Sequence, residues 1–183
     1  MKIGVYGSAA GNISVEIKEK AREIGRQIAR KGHVVVTGIC PGLPYDAVLG
    51  ANEIGGECIG FSPATDLKTH VKRDKFPVEG FSKIIFVPKE FEYKDNIFVC
   101  RKYRNVFSTA FVDAGIIIGG RTGTLNEFTL LYDFGKNIGV LEGSGGITKR
   151  AIKILLEDID KKSSSKIIFD SSPVSLVDKL IEL

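Results

Sequence analysis

Short runs of Ile and Val alternate, from one end of the chain to the other, with segments in which apolar residues recur every three or four positions. The runs predict strands at residues 2–7, 33–38, 57–63, 83–88, 114–118, 137–142 and 166–170. The periodic segments predict helices at residues 13–31, 46–56, 96–112, about 124–134, 147–159 and from Pro173 onward. Strands that are apolar at nearly every position are buried on both faces, as in a parallel sheet between two helix layers. The pattern therefore predicts an α/β fold: a single Rossmann-like domain, residues 1–183, with a doubly wound parallel sheet of about seven strands in three layers.

Residues 64–82 interrupt this alternation because they are mostly polar, and they include the cationic cluster KTHVKRDK at 68–75. We expect this segment to be the least regular part of the domain and to form a loop or a lid. The cluster has no interleaved aromatic residue before Phe76, so it offers few groups on which nucleic-acid bases could stack. A solvated loop is the better interpretation of it.

The overall composition is that of an ordinary globular protein, with 43% hydrophobic and 26% charged residues in a chain of 183. The net charge of +4 is mild, so a nucleic-acid partner is not indicated. The three cysteines, Cys40, Cys58 and Cys100, are widely spaced and form no C-x-x-C motif, and the chain has only two histidines. The sequence therefore predicts no metal site, no disulfide framework and no cofactor.

The first residues enter a strand at once, and no apolar run approaches the roughly 20 residues that a membrane span needs. We therefore expect neither a signal peptide nor a membrane partner. Reduced thiols and the absence of these signals favour a cytoplasmic location.

Glycine-rich loops follow three of the predicted strands: YGSAAGN at 6–12, TGICPGLPYD at 37–46 and GGRTGT at 119–124. In a parallel sheet such loops meet at the carboxyl edge, and each of these opens into a helix. A helix N-terminus presents free N–H groups and a partial positive charge, which makes it a common phosphate site. The sequence therefore predicts a phosphate or nucleotide site formed by Gly7, Ser8, Gly38, Gly119, Gly120, Arg121, Thr122, Gly123 and Thr124. The alternative is that the glycines only make tight turns between strands and helices.

Two familiar phosphate-binding motifs do not fit these loops. The G-x-x-x-x-G-K-[ST] string of a P-loop does not occur in the sequence. The dinucleotide fingerprint G-x-G-x-x-G does not occur after the first strand, where only Gly7 and Gly11 stand. The second strand ends in Thr37-Gly38, where a dinucleotide site needs an acid. NAD is therefore set aside as a ligand.

Glu127 has two interpretations. In the first, Thr124 caps the following helix and Glu127 reaches back to it, as in a capping box. In the second, Glu127 lies in the first helical turn beside the anion site and faces the sugar of the ligand. A carboxylate over a ribose could stabilise positive charge at C1′ or activate a water there.

At these residues the chain resembles a known family. The string GGRTGTLNE, residues 119–127, resembles the P-G-G-x-G-T-x-x-E signature of proteins long misnamed lysine decarboxylases. These include the "lonely guy" (LOG) cytokinin-activating phosphoribohydrolases. The family carries Arg-Lys nine residues before an Asp-Ala pair, and here Arg104-Asn105 stands at that spacing before Asp113-Ala114.

The resemblance extends over residues 2 to about 142 and is incomplete. Ile118 stands where the signature has Pro, the glycine loop is one residue longer, and Asn105 replaces Lys. These departures resemble a divergent branch that includes molybdenum-cofactor carrier proteins. In that branch a nucleotide-like ligand would be bound without turnover.

By resemblance, the enzyme form would hydrolyse the N-glycosidic bond of a nucleoside 5′-monophosphate to free base and ribose 5-phosphate. Arg104 would orient the ligand or stabilise the departing base, and Glu127 would act on the ribose side. One alternative is a non-catalytic carrier or sensor of a nucleotide or a molybdopterin-like cofactor, with Arg104 in a surface salt bridge. Single-stranded DNA binding is a weaker one. The family also implies a homodimer, and the helix at 96–112 carries more apolar residues than one sheet face requires.

The role given to Arg104 depends on where its helix begins. A start at Asp95 would put Arg104 roughly 13 Å along the helix from the ligand edge, at about 1.5 Å per residue, a distance that an arginine would barely span. We therefore predict that the helix begins between Phe98 and Arg101. A start at Asp95 would favour Arg101 in place of Arg104.

Overall fold

The computed structural model describes residues 1–158 and 161–183 and has one parallel sheet between two layers of helices. The strands are β1 (Lys2–Gly7), β2 (Val34–Thr37), β3 (Cys58–Phe61), β4 (Lys83–Ile85), β5 (Ala114–Ile118), β6 (Asn137–Leu141) and β7 (Ile167–Asp170). The helices are α1 (Val15–Arg30), α2 (Leu43–Asn52), the single turn α3 (Leu67–Thr69), α4 (Ile97–Phe111), α5 (Thr122–Asp133), α6 (Ala151–Asp158) and α7 (Pro173–Ile181).

The strand order is β4-β3-β2-β1-β5-β6-β7, and every neighbouring pair is parallel. The chain adds strands outward from β1 to β4, then crosses back to place β5 on the other side of β1. The predicted doubly wound sheet of about seven strands is therefore confirmed. The order reverses between β1 and β5, whose last residues, Gly7 and Ile118, are paired. That reversal marks the carboxyl ends of these two strands as the place for a ligand.

Alternate residues of the strands face opposite layers, and each layer has its own hydrophobic core. On one face, Ile3 and Val5 of β1 pack with Ile24 of α1 and with residues of α2 and α7. On the other face, Tyr6 of β1 packs with Phe128 of α5 and with residues of α6. Each fully buried Ile, Val or Phe stabilises the fold by roughly 1.5–3 kcal/mol relative to an exposed one. The Ile- and Val-rich strands are thus explained by burial on both faces.

Several predicted elements differ from those observed, including three outside α4 and α5. The helix predicted at 46–56 extends from Leu43 to Asn52, and its first turn accommodates Pro44 because no N–H donor is needed there. The helix predicted at 147–159 is split into a 3₁₀ turn, Gly146–Thr148, and α6; residue 159 lies outside the described residues. The segment expected to be a loop, 64–82, contains α3 and a π-helical turn, His70–Asp74.

None of the helices in the two described ranges combines the length and the apolar character that crossing a membrane requires. Cys40, Cys58 and Cys100 are all free thiols.

Helices α1 and α2 approach so closely that glycine is required on both sides. A Cβ atom built on Gly25 would lie 1.8 Å from the carbonyl oxygen of Ala47, and one on Gly50 would lie 2.0 Å from that of Arg22. Both neighbours are backbone atoms, so neither can move without shifting a helix. This contact holds α2, and with it the loop after β2, against the sheet.

We predict that Gly25→Ala lowers the free energy of unfolding by about 1–3 kcal/mol, because the added methyl group overpacks the α1–α2 contact. Urea denaturation followed by circular dichroism measures it. Gly123→Ala is the matched control, since Gly123 also lies in a helix but a Cβ there meets nothing within 4 Å. That control should lose no stability. A Gly25→Ala protein as stable as the wild type would contradict the close approach.

Candidate functional site

A cavity of about 480 Å³ opens where the loops after β1 and β2 meet the start of α5. Its volume lies within the range of small-molecule sites. The predicted site residues that line it are Gly7, Ser8, Gly38, Arg104, Arg121, Thr122, Gly123, Thr124 and Glu127. The topology thus brings residues from four separate parts of the chain to the point where the strand order reverses.

Gly119 and Gly120, which were also predicted as site residues, are not part of the cavity lining. The Gly119 N–H donates to Ser144 Oγ at 2.8 Å, and the Gly120 N–H donates to Ser8 Oγ at 2.7 Å. Both N–H groups are therefore bonded within the protein. In this arrangement the two glycines shape the turn from β5 to α5, and direct contact with an anion falls to the residues that follow them. Ser144, in the loop after β6, stabilises this turn by accepting the Gly119 hydrogen bond. Nothing in its local sequence distinguished it from an ordinary loop serine.

Helix α5 begins at Thr122, two residues earlier than predicted, so the capping box of Thr124 and Glu127 does not form. Thr124 lies inside the first turn, and its hydroxyl donates to the Gly7 carbonyl at 3.3 Å. Glu127 is consequently in the second turn, not the first. Among the described residues no side chain caps this helix. The first N–H groups of a helix have no intrahelical partner, and those of Thr122, Gly123 and Thr124 border the cavity.

Glu127 is buried, with a side chain 8% exposed, and its Oε1 lies 3.8 Å from Arg104 Nη2. Burial raises the pKa of this carboxyl to about 7, and the positive charges of Arg104 and Lys102 lower it only in part. Near neutral pH the carboxyl therefore exists in both protonation states. Groups of this kind are suited to proton transfer and occur more often in functional sites than elsewhere.

Arg104 is fixed by three hydrogen bonds to two residues. Its Nη1 donates to the Gly38 carbonyl at 2.9 Å, and its Nε and Nη2 donate to Asn105 Oδ1 at 3.2 and 2.8 Å. A Cβ on Gly38 would lie 2.9 Å from the guanidinium carbon, so glycine is needed there to admit the side chain. The Asn105 side chain in turn donates to Asn126 of α5 at 3.1 Å. Asn105, which replaces the family's Lys, thus ties α4, α5 and the loop after β2 together.

Helix α4 begins at Ile97, with Asn96 as its cap, one residue before the predicted range of Phe98 to Arg101. Arg104, two turns along, contacts Gly38 directly after β2. The first two turns of α4 therefore extend beyond the strand ends, which is why this start does not carry Arg104 away from the cavity. Arg101, predicted only as an alternative to Arg104 because its spacing to Asp113 does not match the family's, also lines the cavity, so the structure brings both arginines to it.

The cavity is electrostatically suited to an anion. Arg101, Arg104 and Arg121 contribute three guanidinium groups to the lining, against the single carboxylate of Glu127. The unpaired N–H groups of α5 add further positive potential. In the two described ranges, no group of three or more His, Cys, Asp or Glu residues could hold a metal ion.

The chain belongs to the SLOG cluster4 family, whose model matches residues 1–177. The SLOG superfamily groups proteins like LOG and like DNA processing protein A, so the resemblance seen in the sequence is confirmed at that level. An uncharacterized protein of Archaeoglobus fulgidus is 29% identical over 142 residues, which is 78% of this chain and 80% of that protein.

Solved structures agree with this fold. The X-ray structure of TM1055 has a TM-score of 0.80 and 23% identity and covers 100% of this chain and 99% of its own. The molybdenum cofactor binding protein of Rippkaea orientalis has a TM-score of 0.72 and 22% identity, covering 99% and 94%. DNA processing protein A of Helicobacter pylori, which binds single-stranded DNA, has a TM-score of 0.68 and 20% identity, covering 100% and 80%. Identities this low establish the shared fold alone.

We predict that Glu127 makes the stability of the protein depend on pH. Its folded pKa, about 7, lies above the ordinary value of 4.5, so the folded state binds this proton more tightly than the unfolded state. Wild-type stability should therefore fall as pH rises from about 4.5 to about 7, whereas Glu127→Gln lacks this loss. Relative to the wild type, the variant should gain roughly 1–3 kcal/mol across that window, at about 1.4 kcal/mol per pKa unit.

Urea denaturation at pH 4.5, 6, 7 and 8 measures the difference. Glu16→Gln controls for the loss of a carboxylate, because the Glu16 side chain is 74% exposed. A stability difference between Glu127→Gln and wild type that stays constant with pH would show that burial does not perturb this carboxyl.

Proposed function

We propose that this protein binds a nucleoside 5′-monophosphate in the cavity and hydrolyses its N-glycosidic bond to free base and ribose 5-phosphate. The observation that carries the proposal is the buried carboxyl of Glu127, which lies 3.8 Å from Arg104 and has its pKa raised to about 7. It lies in the same lining as Thr122, Gly123 and Thr124, the first residues of α5, whose N–H groups have no partner within the helix. One cavity thus combines an anion site with a titratable acid.

The 5′-phosphate binds at the N-terminus of α5, to the N–H groups of Thr122, Gly123 and Thr124 and to the Arg121 guanidinium. Ser8 contributes its hydroxyl, whereas Gly7 and Gly38 act indirectly, by allowing the Ile118 carbonyl and the Arg104 guanidinium to approach the backbone of the site. Gly119 and Gly120 do not contact the phosphate; they shape the turn from β5 to α5 that precedes the phosphate site. This assignment directs the ribose away from the helix end and toward the interior of the cavity.

Hydrolysis adds water across the bond between C1′ and the base nitrogen. The bond breaks with its electron pair going to the base, and the water oxygen bonds to C1′ while its proton is lost. The Glu127 carboxylate stabilises the positive charge that develops at C1′ and accepts the water proton. The Arg104 guanidinium faces the departing base, whose negative charge it stabilises before the base is protonated.

A second candidate function is supported by the same side chains. The guanidinium of Arg104 is already hydrogen-bonded to Gly38 and Asn105, and Glu127 is largely covered. A pair satisfied internally in this way can serve as a structural tie between α4 and α5. The protein would then carry or sense a nucleotide or a pterin-like cofactor without turnover, a function suggested also by its similarity to the Rippkaea orientalis cofactor-binding protein.

We predict that Glu127→Gln lowers kcat for base release from a nucleoside monophosphate by about 10²- to 10⁴-fold, with a smaller change in KM, because it removes the proton acceptor. AMP and a panel of other monophosphates are incubated with purified protein, and free base and ribose 5-phosphate are quantified by chromatography. Glu16→Gln, with an exposed carboxylate, is the matched control. Tight binding with no release by the wild type would favour the carrier.

If the carboxylate is the active form, base release should increase with pH through a midpoint at or above 7. The free-protein pKa of Glu127 is about 7, and a bound phosphate anion nearby raises it further. The pH profile of kcat between pH 5.5 and 9 measures this midpoint. A rate that falls over the same range would make the protonated form of Glu127 the active one.

We further propose that the protein is a homodimer that pairs through α4. On this helix Phe98 is 73% exposed and Val106 is 38% exposed, and the two lie about 80° apart around the helix axis, so together they form an apolar surface that a second copy would remove from water. Light scattering coupled to gel filtration should give the dimer mass, and Phe98→Asp should shift it toward the monomer. A monomeric wild type at micromolar concentration would contradict the dimer.

A further inference from the structure

One aromatic side chain brings the irregular segment 64–82 to the cavity. Of the described residues in that segment, Phe76 alone lines the cavity, and it is half-buried. Tyr6 is the other aromatic residue in the lining, but its side chain is 1% exposed and packs in the core. Phe76 is therefore the aromatic face that a ligand in the cavity can reach.

The backbone directly before Phe76 has an irregular conformation. The π-helical turn, His70–Asp74, ends in Lys75, which adopts a left-handed conformation with φ of 53°. Such a conformation is uncommon for a residue with a side chain and persists only where its surroundings impose it.

A buried histidine holds the ring in place. The Phe76 ring packs edge-on against the His70 ring, with centroids 5.9 Å apart and an interplanar angle of 73°. His70 Nε2 lies 3.3 Å from the Pro77 carbonyl oxygen, which can only accept, so Nε2 carries the proton. Nδ1 therefore accepts from the Ser62 hydroxyl, 2.9 Å away. The bond to Ser62 anchors the segment at the end of β3, and the bond to Pro77 ties His70 to the residue that follows Phe76.

The remaining lining has two kinds of surface. The arginines and the start of α5 are polar and cationic, whereas Cys40, Pro41 and Pro44 are mostly apolar. A sugar phosphate would use only the first kind. A ligand that also carries a flat heteroaromatic ring would use both, because such rings stack on aromatic side chains regardless of their hydrogen-bonding pattern.

We propose that Phe76 stacks on the planar heteroaromatic ring of the ligand, and that the Ser62–His70 hydrogen bond positions Phe76 for this contact. The residue thereby selects nucleotides over the corresponding sugar phosphates. The inference rests on the proposed function, since it names the part of the same ligand that the anion site does not recognise.

The test compares two ligands that differ only in the base. Dissociation constants for AMP and for ribose 5-phosphate are measured by isothermal titration calorimetry, with every protein in a Glu127→Gln background so that AMP is not consumed. Phe76→Ala should weaken AMP binding about 5- to 100-fold, the range expected for one lost base-stacking contact, and leave ribose 5-phosphate binding unchanged. Phe76→Trp, which keeps an aromatic face, should retain AMP binding.

A second substitution tests whether the Ser62–His70 hydrogen bond positions Phe76. Ser62→Ala removes the donor to His70 and should lower the ratio of AMP to ribose 5-phosphate affinity, by less than Phe76→Ala does. Phe134→Ala is the matched aromatic control, because Phe134, at the end of α5, is 41% exposed and is not part of the cavity lining; it should change neither affinity. An unchanged ratio in Ser62→Ala would overturn the positioning role.

The other outcomes are distinct. An unchanged AMP affinity in Phe76→Ala would overturn the stacking role. An equal loss of affinity for AMP and for ribose 5-phosphate would also overturn it, because Phe76 would then only maintain the shape of the cavity. Failure of both ligands to bind the parent protein would overturn the proposed function and this inference with it.

Discussion

The burial of Glu127 beside Arg104 is the contact on which the candidate site depends. A carboxylate and a guanidinium removed from water cost free energy unless each is paired and hydrogen-bonded. Here Arg104 is bonded to Gly38 and Asn105, and Glu127 keeps a pKa of about 7 because one guanidinium at 3.8 Å offsets only part of its desolvation. The same contact joins α4, α5 and the loop after β2, so site geometry and helix packing are set together.

The sheet determines why these parts of the chain meet. Because β5 returns to the side of β1 opposite β2, the loops that follow β1, β2 and β5 share one edge. The close approach of α1 and α2 at Gly25 and Gly50 holds one layer rigidly, and α4 and α5 form the other. The cavity lies between these layers, with cationic groups on one part of its lining and apolar groups on another. The topology thus determines which loops and helices surround the cavity, and the side chains on them determine its chemistry.

Much of this could be predicted from the sequence. The Ile and Val runs predicted every strand, because five of the seven are buried at nearly every position and the edge strands β4 and β7 are apolar although only partly buried. The glycine loops predicted the edge of the sheet at which the cavity lies. Three features could not be predicted. The start of α5 at Thr122 depends on a turn stabilised by Ser8 and Ser144, which are distant in sequence. The position of Phe76 depends on a buried histidine and a left-handed lysine, neither of which has a periodic signature. The contact of Arg104 with Gly38 depends on how far α4 extends past the sheet.

A crystal structure of the Glu127→Gln protein with AMP bound tests the proposed role of the cavity most directly. The account predicts the phosphate within hydrogen-bonding distance of the N–H groups of Thr122, Gly123 and Thr124, with C1′ of the ribose next to residue 127 and the base against Phe76. A phosphate bound elsewhere, or a ribose that does not approach residue 127, would contradict it and leave the Arg104–Glu127 pair as a structural contact between two helices.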